Sequence, residues 1–240
     1  MNVKQIKLVA MDLDGTLSQH KQHLPDCNKQ ALKKLAEKYM LVMVGAGQTM
    51  RIFNQMEGFA IDVIGNYGMQ YSKYNHQTCS LEVERDLSVG VDRDKIEKTV
   101  SELRQKYGFT EFKGESVEFH PSGCVTFPIL GTKAELADKL AFDPDRKKRR
   151  AIYQEVCSYF PDYNGFVGGS SSFDFAPKPF DKYYALDLYC KEKGITHEQA
   201  VFIGDDYGLG GNDSAVYNSD FNFLTIDDYL DFPKVIKELL

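Results

Sequence analysis

Acidic residues occur at three separated places in the sequence where a predicted strand ends or a predicted helix is about to begin. They are Asp12 with Asp14, Asp181 with its neighbour Lys182, and the group Asp205, Asp206 and Asp213. In open parallel sheets, ligands bind at the carboxyl ends of the strands. Carboxylates gathered there would repel one another and their pKa values would rise unless a cation lay between them. The pattern therefore predicts a site for a hard cation, most simply Mg²⁺.

The segments around these residues have the pattern of a parallel sheet. The short run Lys7–Met11 predicts a buried strand, followed by a helix over Cys27–Tyr39 and a second strand over Met40–Val44. A strand, helix and strand in this order predict a parallel pair. A third strand is predicted at Ile61–Ile64. A hairpin of Met69–Tyr74 with Cys79–Val83 follows it.

The pattern changes in the middle of the chain, where two predicted strands follow each of two predicted helices. These elements are expected at Asp94–Tyr107, Val117–His120, Cys124–Phe127, Lys147–Phe160, near Phe166 and at Phe173–Phe175. Such an order is typical of an antiparallel α+β domain. The parallel pattern then returns with Tyr183–Lys193, Val201–Ile203, Phe221–Leu224 and a closing helix, Pro233–Leu240. We therefore predict an α/β core domain from residues 1–80 and 179–240, with an inserted α+β domain from residues 81–178.

The composition is that of a globular protein with an acidic balance. Among 240 residues, 29 Lys and Arg against 35 Asp and Glu give a net charge of −6. Nucleic-acid binders need a basic face, so we expect no such partner. We also expect no signal peptide and no membrane span, because no apolar run approaches the about 18–20 residues that cross a bilayer. Five scattered cysteines without a Cys-x-x-Cys pair are typical of free thiols, and we expect a cytoplasmic protein.

The order and spacing of the charged motifs resemble the haloacid dehalogenase (HAD) superfamily over the whole chain. The motifs are Asp-x-Asp-Gly-Thr from Asp12, a later Lys182, and Gly-Asp-(x)₄-Gly-Gly-Asn-Asp ending at Asp213. The resemblance implies a Rossmann-like core in which Asp12 attacks phosphorus to give an aspartyl-phosphate. Asp14 would act as acid and base, and Lys182 would offset charge. The resemblance also implies that Asp12, the Asp14 carbonyl, Asp205 and Asp213 form the Mg²⁺ site.

The inserted domain resembles a type C2B cap of this superfamily, and the finer motifs resemble the phosphomannomutase family. Those motifs are Gly204–Asp213, Gly168–Phe175 and Phe180–Lys182. The resemblance implies that four residues contact the substrate: Lys21, Lys139, Ser172 and Asp174. A small phosphorylated molecule is the expected partner, bound by a monomer or a homodimer.

Two departures from the family pattern bear on phosphate binding. Two cap arginines are replaced by Pro121, beside His120, and by Thr132, so two bidentate phosphate contacts are missing. The Ser or Thr expected after the second strand is also absent from the stretch Val44–Gln48. The phosphate would then be bound by Lys182, the Gly47 N–H and Gln48, with Thr49 as an alternative hydroxyl.

Hydrolysis of a small phosphate monoester, with Mg²⁺ and with a phosphosugar as the expected substrate, is the predicted activity. A mutase must hold phosphate at both ends of its substrate, whereas a phosphatase need not. A phosphomannomutase that replaces the missing arginines with Lys21, Lys139 and other groups remains an alternative. The second alternative is a non-catalytic phospho-ligand sensor, suggested by the missing hydroxyl. The basic run Arg146–Arg150 is interpreted as a solvated helix face.

Overall fold

The protein is described by a computed structural model that covers residues 1–20 and 22–240. The first part of the chain forms β1 (Leu8–Met11), α1 (Asp26–Ala36), β2 (Met40–Val44), α2 (Thr49–Gln55), β3 (Asp62–Gly65), β4 (Gln70–Asn75) and β5 (Ser80–Asp86). The middle part forms α3 (Arg93–Tyr107), β6 (Glu118–Phe119), β7 (Val125–Pro128), α4 (Leu136–Phe142), α5 (Lys147–Ser158), β8 (Tyr163–Phe166) and β9 (Ser172–Pro177). The last part forms α6 (Lys182–Lys193), β10 (Ala200–Gly204), α7 (Ser214–Tyr217), β11 (Asn222–Thr225) and α8 (Phe232–Val235).

These elements group into two compact units. The core unit consists of Met1–Leu87, Phe180–Gly208 and Asp213–Leu240. The inserted unit consists of Ser88–Pro179 and Leu209–Asn212. The core unit therefore extends beyond the predicted boundary at residue 80. Among the described residues, no helix has both the length and the apolar character that a bilayer span requires.

A seven-stranded sheet forms the centre of the core unit, in the order β11-β10-β1-β2-β3-β4-β5. The pairs from β11 to β3 are parallel. Both faces of β1 are covered, which explains the continuously apolar sequence of this strand. Met11 packs in one apolar cluster with Leu32 of α1, whereas Ala10 packs in another with Leu186 of α6. The sheet thus lies between helical layers, as predicted for a Rossmann-like α/β core.

The predicted hairpin joins this same sheet as its antiparallel edge. β4 pairs with β3, and β5 pairs with β4. Asp62 of β3 fixes β4, because its carboxylate accepts hydrogen bonds from the Tyr71 hydroxyl at 2.9 Å and the Tyr74 N–H at 2.9 Å. This pairing is why residues 80–87 belong to the core unit and not to the inserted one.

The inserted unit has an antiparallel sheet in the order β6-β7-β9-β8. Its core combines strand residues such as Phe127 and Phe173 with Val100 of α3 and Val156 of α5. The predicted antiparallel α+β architecture is therefore confirmed. Helix α4 was not predicted, and it buries none of its residues.

The interpretation of Arg146–Arg150 as a solvated face is wrong for Arg149. This side chain is 1% exposed, and its Nε donates to Asp143 Oδ2 at 2.9 Å. Its NH1 group donates to the carbonyls of Gly168, Gly169 and Ser172. A buried arginine thus ties α5 to the loop before β9, which the local charge pattern could not indicate.

Candidate active site

Two adjacent parallel strands, β1 and β10, place Asp12 and Asp205 at the carboxyl ends of the strands of the core sheet. Met11, the last residue of β1, pairs with Ile203 of β10. The backbone N–H of Asp12 continues this pairing by donating to the Ile203 carbonyl at 3.0 Å. Each carboxylate follows the end of its strand, so the sheet register brings the two motifs together.

Lys182 lies at the start of α6, directly after the residue that caps this helix. Asp181 Oδ1 accepts from the Tyr184 N–H at 2.7 Å, which fixes the first turn. The Lys182 ammonium group is fully buried and lies 2.7 Å from Asp12 Oδ1 and 2.7 Å from Asp213 Oδ1. Burial alone would lower the pKa of Lys182, but the charges of Asp12 and Asp213 raise it above its ordinary value. The lysine is therefore a fixed cation.

Three carboxylates gather beside this cation. Asp12, Asp205 and Asp213 each offer an oxygen within 4.8 Å of the others. Burial raises the pKa of Asp12, and the charges of Asp213 and Asp205 raise it further, while Lys182 opposes them. Burial and the Asp213 charge also raise the pKa of Asp205 to about 6. One ammonium group does not neutralise three carboxylates, so this set of oxygen donors fits a hard divalent cation.

Asp213 differs from the other two acids because both of its oxygens have protein donors. Oδ1 accepts from Lys182, and Oδ2 accepts from the Asp206 N–H at 3.0 Å. Asp213 therefore holds Lys182 and the turn after β10 in place.

Gly15 allows the first motif to approach Asp205 closely. Its φ is +97°, and a Cβ atom added there would lie 2.4 Å from Asp205 Oδ2. Any side chain at this position would displace the carboxylate, and the left-handed backbone favours glycine. The next residue, Thr16, donates from Oγ1 to Asp205 Oδ1 at 3.1 Å.

Asp14 contacts a different group of side chains, most of them on α2. Gln55 Nε2 donates to Asp14 Oδ1 at 2.7 Å. The guanidinium group of Arg51 lies 3.4 Å from Asp14 Oδ2 through NH1. His20 Nδ1 lies 3.8 Å from the same oxygen. The Asp14 carboxylate is therefore held in place by hydrogen bonds and neighbouring cationic or polar groups.

The loop after β2 supplies backbone but no hydroxyl to the site. Gly47 O accepts from the Asn66 N–H at 2.9 Å, and Gln48 is an exposed residue before α2. Thr49 is buried, and its hydroxyl is hydrogen-bonded to Ser72 Oγ at 2.8 Å and to Gln70 Oε1 at 3.1 Å. The alternative that Thr49 replaces the missing hydroxyl is therefore wrong.

The motifs, their order and this geometry agree with the comparison to known families. The model of the haloacid dehalogenase-like hydrolase family matches residues 9–214. The chain belongs to this family. The matched range includes Asp12, Lys182, Asp205 and Asp213, the four residues of the charged cluster.

Among HAD-like relatives, several phosphomannomutases are similar to this chain. The Saccharomyces cerevisiae phosphomannomutase is 24% identical over 221 residues, which cover 88% of this chain and 84% of that protein. Phosphomannomutase 1 of Mus musculus is 25% identical over 227 residues, covering 89% and 84%. This HAD-like hydrolase is thus phosphomannomutase-like, and it is an enzyme of the phosphatase and phosphotransferase type.

Solved structures share the fold at lower identity. An IMP-bound, N-terminally truncated IMP-nucleotidase from Plasmodium falciparum superposes with a TM-score of 0.69 at 14% identity, covering 99% of this chain and 71% of that one. A haloacid dehalogenase-like hydrolase from B. subtilis superposes with a TM-score of 0.65 at 15% identity, covering 98% and 100%. These similarities support the fold of the HAD-like chain alone.

In the inserted unit of this HAD-like protein, Ser172 and Asp174 lie together on β9. Asp174 Oδ1 accepts from Thr126 Oγ1 at 2.9 Å and lies 3.4 Å from Ser172 Oγ. His120 Nε2 is 3.0 Å from the same Thr126 hydroxyl. Burial raises the pKa of Asp174, while hydrogen bonds from Thr126 and the charge of His120 oppose the increase. These side chains form a compact polar cluster with donors and a carboxylate acceptor.

The remaining predicted substrate residues have other surroundings. Lys139 is on α4, and its Nζ donates to the Thr132 carbonyl at 3.1 Å. Thr132 Oγ1 accepts from the Glu115 N–H at 2.9 Å, so this hydroxyl links the segment after β7 to the segment before β6. Lys21 lies outside the described residues.

Sequence reasoning missed the two α2 residues that contact Asp14. Arg51 and Gln55 are four residues apart, so both side chains lie on one face of the helix. Two polar side chains at this spacing, soon after the loop that follows the second strand, could have indicated that they face the site. The partner, Asp14, is 37 residues before Arg51, and only the folded chain identifies it.

Proposed function

We propose that this HAD-like enzyme is an Mg²⁺-dependent phosphatase that hydrolyses a small phosphate monoester, with a phosphosugar as the substrate class. The observation that carries the proposal is the charged cluster of Asp12, Lys182, Asp205 and Asp213, in which Asp205 is partly buried and the others are buried. A carboxylate nucleophile, a fixed cation and a set of hard oxygen donors occur together there, which is what transfer of a phosphoryl group requires.

In the first step, the Asp12 carboxylate attacks phosphorus and the bond to the ester oxygen breaks. The Lys182 ammonium group favours the ionised form of Asp12 that this attack needs. Asp14 protonates the departing oxygen, so the alcohol leaves neutral and an aspartyl-phosphate remains on Asp12. Gln55 keeps the Asp14 carboxyl in one orientation through the 2.7 Å hydrogen bond.

In the second step, water attacks the phosphorus of the aspartyl-phosphate. Asp14, now ionised, takes the proton of this water, and the Asp12 carboxylate is released together with inorganic phosphate. The same residue thus acts first as acid and then as base. Proton balance is restored when Asp14 is again protonated at the end of the cycle.

The metal would be held by Asp12, Asp205 and the Asp14 carbonyl. We propose that Asp213 holds Lys182 in place and is not a metal ligand, because both of its oxygens accept hydrogen bonds from protein groups. When bound, Mg²⁺ would offset the negative charge of the phosphate and of the carboxylates around it. We propose that Lys182, the Gly47 N–H and Gln48 bind the phosphoryl oxygens.

The polar cluster of the inserted unit around Ser172 and Asp174 supports the proposal that the leaving group of the substrate is rich in hydroxyl groups. Ser172 and Asp174 are assigned to the sugar, because a hydroxyl and a carboxylate can pair with sugar hydroxyl groups. Lys139 and Lys21 are assigned to the same substrate. Pro121 and Thr132 bring no charge to this unit, and this favours hydrolysis over a reaction that holds a second phosphate.

The test is release of inorganic phosphate from a panel of phosphosugars with Mg²⁺, comparing the wild type with Asp12→Asn. We expect turnover in the wild type and none detectable in Asp12→Asn, because an amide is not a nucleophile for phosphorus. A phospho-enzyme trapped by acid quench should carry its phosphate on Asp12. Turnover close to the wild type in this variant, or phosphate on another residue, would contradict the assignment.

A second candidate function is phosphomannomutase activity. It is favoured by the similarity to phosphomannomutases, which covers 88% of this chain for the S. cerevisiae protein. A mutase would return the phosphate to another hydroxyl of the bound sugar instead of passing it to water.

A further inference from the structure

Arg51 is a charged residue beside the proposed active site that has no part in the mechanism above. Its NH1 and NH2 groups lie 3.4 Å and 3.5 Å from Asp14 Oδ2. NH1 also donates to Gln55 Oε1 at 2.9 Å. The side chain is 41% exposed, so the guanidinium group lies at the open side of the Asp14 carboxylate.

The same guanidinium group covers Gly47. A Cβ atom added to Gly47 would lie 2.4 Å from Arg51 Nε, 2.4 Å from NH2 and 2.8 Å from Cζ. Arg51 therefore fills the volume that a side chain at position 47 would need. This position belongs to the stretch after β2 in which a hydroxyl is missing, and the nearby hydroxyl of Thr49 is buried in contacts with Ser72 and Gln70.

We propose that Arg51 binds the transferring phosphoryl group, in the space that a hydroxyl-bearing side chain at position 47 would occupy. The inference rests on the proposed function, in which Asp14 reaches the leaving oxygen of the phosphate. A guanidinium group within 3.5 Å of the Asp14 carboxylate is then within reach of the oxygens on the same phosphorus. Its planar set of N–H donors suits phosphate oxygens.

The exposure of the Arg51 and Asp14 pair supports an exchange of partners. Exposed ion pairs contribute little to stability, so moving a guanidinium N–H from Asp14 to a phosphate costs little. A phosphate dianion offers more charge and more acceptor oxygens than one carboxylate. Arg51 would thus be a substrate-binding residue, with Gln55 keeping Asp14 in place after the exchange.

The experiment measures binding of inorganic phosphate in the presence of Mg²⁺ by calorimetry, which needs no turnover. Arg51→Met should weaken binding about 10- to 100-fold, and Arg51→Lys should weaken it less because the charge is kept. Lys34→Met removes an exposed lysine of α1 and is the control for net charge; it should bind like the wild type. Thermal unfolding verifies that each variant is folded.

A second pair of variants tests the position. Gly47→Ser alone should weaken phosphate binding, because the new side chain and the guanidinium group compete for one volume. The double variant Gly47→Ser with Arg51→Met should bind phosphate more tightly than either single variant, since the hydroxyl then takes the vacated space. Such a reversal is not expected if Arg51 acts only through long-range charge or by orienting Asp14.

Equal phosphate affinity of Arg51→Met and the wild type would overturn the proposal, even if kcat fell, because Arg51 would then only position Asp14. A loss in Lys34→Met as large as that in Arg51→Met would also overturn it. A wild type that binds phosphate but hydrolyses no ester would contradict the proposed function, while the Arg51 comparison would still be decided by binding. A wild type that binds no phosphate would contradict both.

Discussion

Lys182 is the residue on which the charge balance of the site depends. It is fully buried, and its ammonium group contacts Asp12 and Asp213 at the same distance of 2.7 Å. A buried cation is retained only when its partners offset the cost of removing it from water. The lysine and the two carboxylates are therefore one unit, in which Lys182 favours the ionised form of Asp12 and the carboxylates favour the charged form of Lys182.

Lys182→Met should both inactivate the enzyme and destabilise the core unit. The substitution leaves Asp12 and Asp213 without their cation, and breaking a buried pair costs about 3–5 kcal/mol. Urea unfolding at neutral pH and phosphate release measure the two effects. The control is Lys191→Met on the same helix. The Lys191 side chain is 71% exposed, so this variant should behave like the wild type. A Lys182→Met protein as stable as Lys191→Met would argue against a charged triad.

At the scale of elements, the side chain of Arg149 joins α5 to the loop before β9, and an ion pair with Asp143 holds that side chain. Asp143 Oδ1 accepts from the Lys148 N–H, and Oδ2 accepts from the Arg149 N–H and Nε. Burial alone would raise the pKa of Asp143, but these hydrogen bonds outweigh it and hold the pKa below its ordinary value of 3.8. Arg149 in turn fixes the loop through three backbone carbonyls.

Asp143→Asn should destabilise the inserted unit by about 3–5 kcal/mol at neutral pH, because it leaves the buried Arg149 unpaired. A lowered pKa in the folded state stabilises the protein above pH 3.8 and ceases to do so as the pH falls through the folded pKa. The difference from the wild type should therefore be constant between about pH 5 and 7 and shrink in more acidic solution.

Urea unfolding of the two proteins at neutral and acidic pH measures this difference. Asp138→Asn, which changes a side chain of α4 that is 62% exposed, is the control and should leave stability unchanged. A difference between Asp143→Asn and the wild type that grows on acidification would contradict the assigned direction of the pKa shift.

For the whole molecule, two units with separate hydrophobic cores imply that unfolding need not be a single transition. The carboxylate cluster belongs to the core unit, so a cation bound there stabilises this unit first. The inserted unit has its own sheet and its own buried ion pair. A change in one unit should thus be measured on the transition of that unit.

Mg²⁺ should raise the melting temperature of the core unit, and EDTA should reverse the increase. At a concentration 100 times the Kd, binding stabilises by about 2.7 kcal/mol, which corresponds to several degrees for a protein of this size. Scanning calorimetry with and without Mg²⁺ measures the shift, and Asp205→Asn should reduce it. Ca²⁺ should also stabilise the protein but support hydrolysis poorly, because its coordination is looser. Full activity in excess EDTA would contradict the metal requirement.

The choice between hydrolysis and mutase action also belongs to the whole molecule, because it depends on what the inserted unit offers a phosphate. We expect mannose 1-phosphate or glucose 1-phosphate, with Mg²⁺ and a hexose 1,6-bisphosphate, to release inorganic phosphate faster than the 6-phosphate isomer forms. Pro121 and Thr132 provide no cation for a second phosphate. Phosphorus NMR distinguishes the products. Faster formation of the isomer would favour the mutase, with His120 as the first residue to substitute.

The sequence by itself determined the types of element and the order of the motifs. The apolar run of β1 before Asp12, the helical spacing of α3 and α6, and the turn after β10 are local signals, and the structure has these elements near the predicted positions. Side-chain periodicity encodes which element forms and which face it buries. The order of the charged motifs along the chain indicates the family without reference to any contact between remote residues.

Only the tertiary structure decided which side chains meet. Lys182 pairs with Asp213 across 31 positions of sequence, and Arg51 reaches Asp14 across 37. The hairpin of β4 and β5 became the edge of the core sheet through Asp62, and Arg149 became buried although its neighbours are charged. Local periodicity contains no distance between remote elements. Strand register, helix packing and close approach at residues such as Gly15 and Gly47 set those distances, and they exist only in the folded chain.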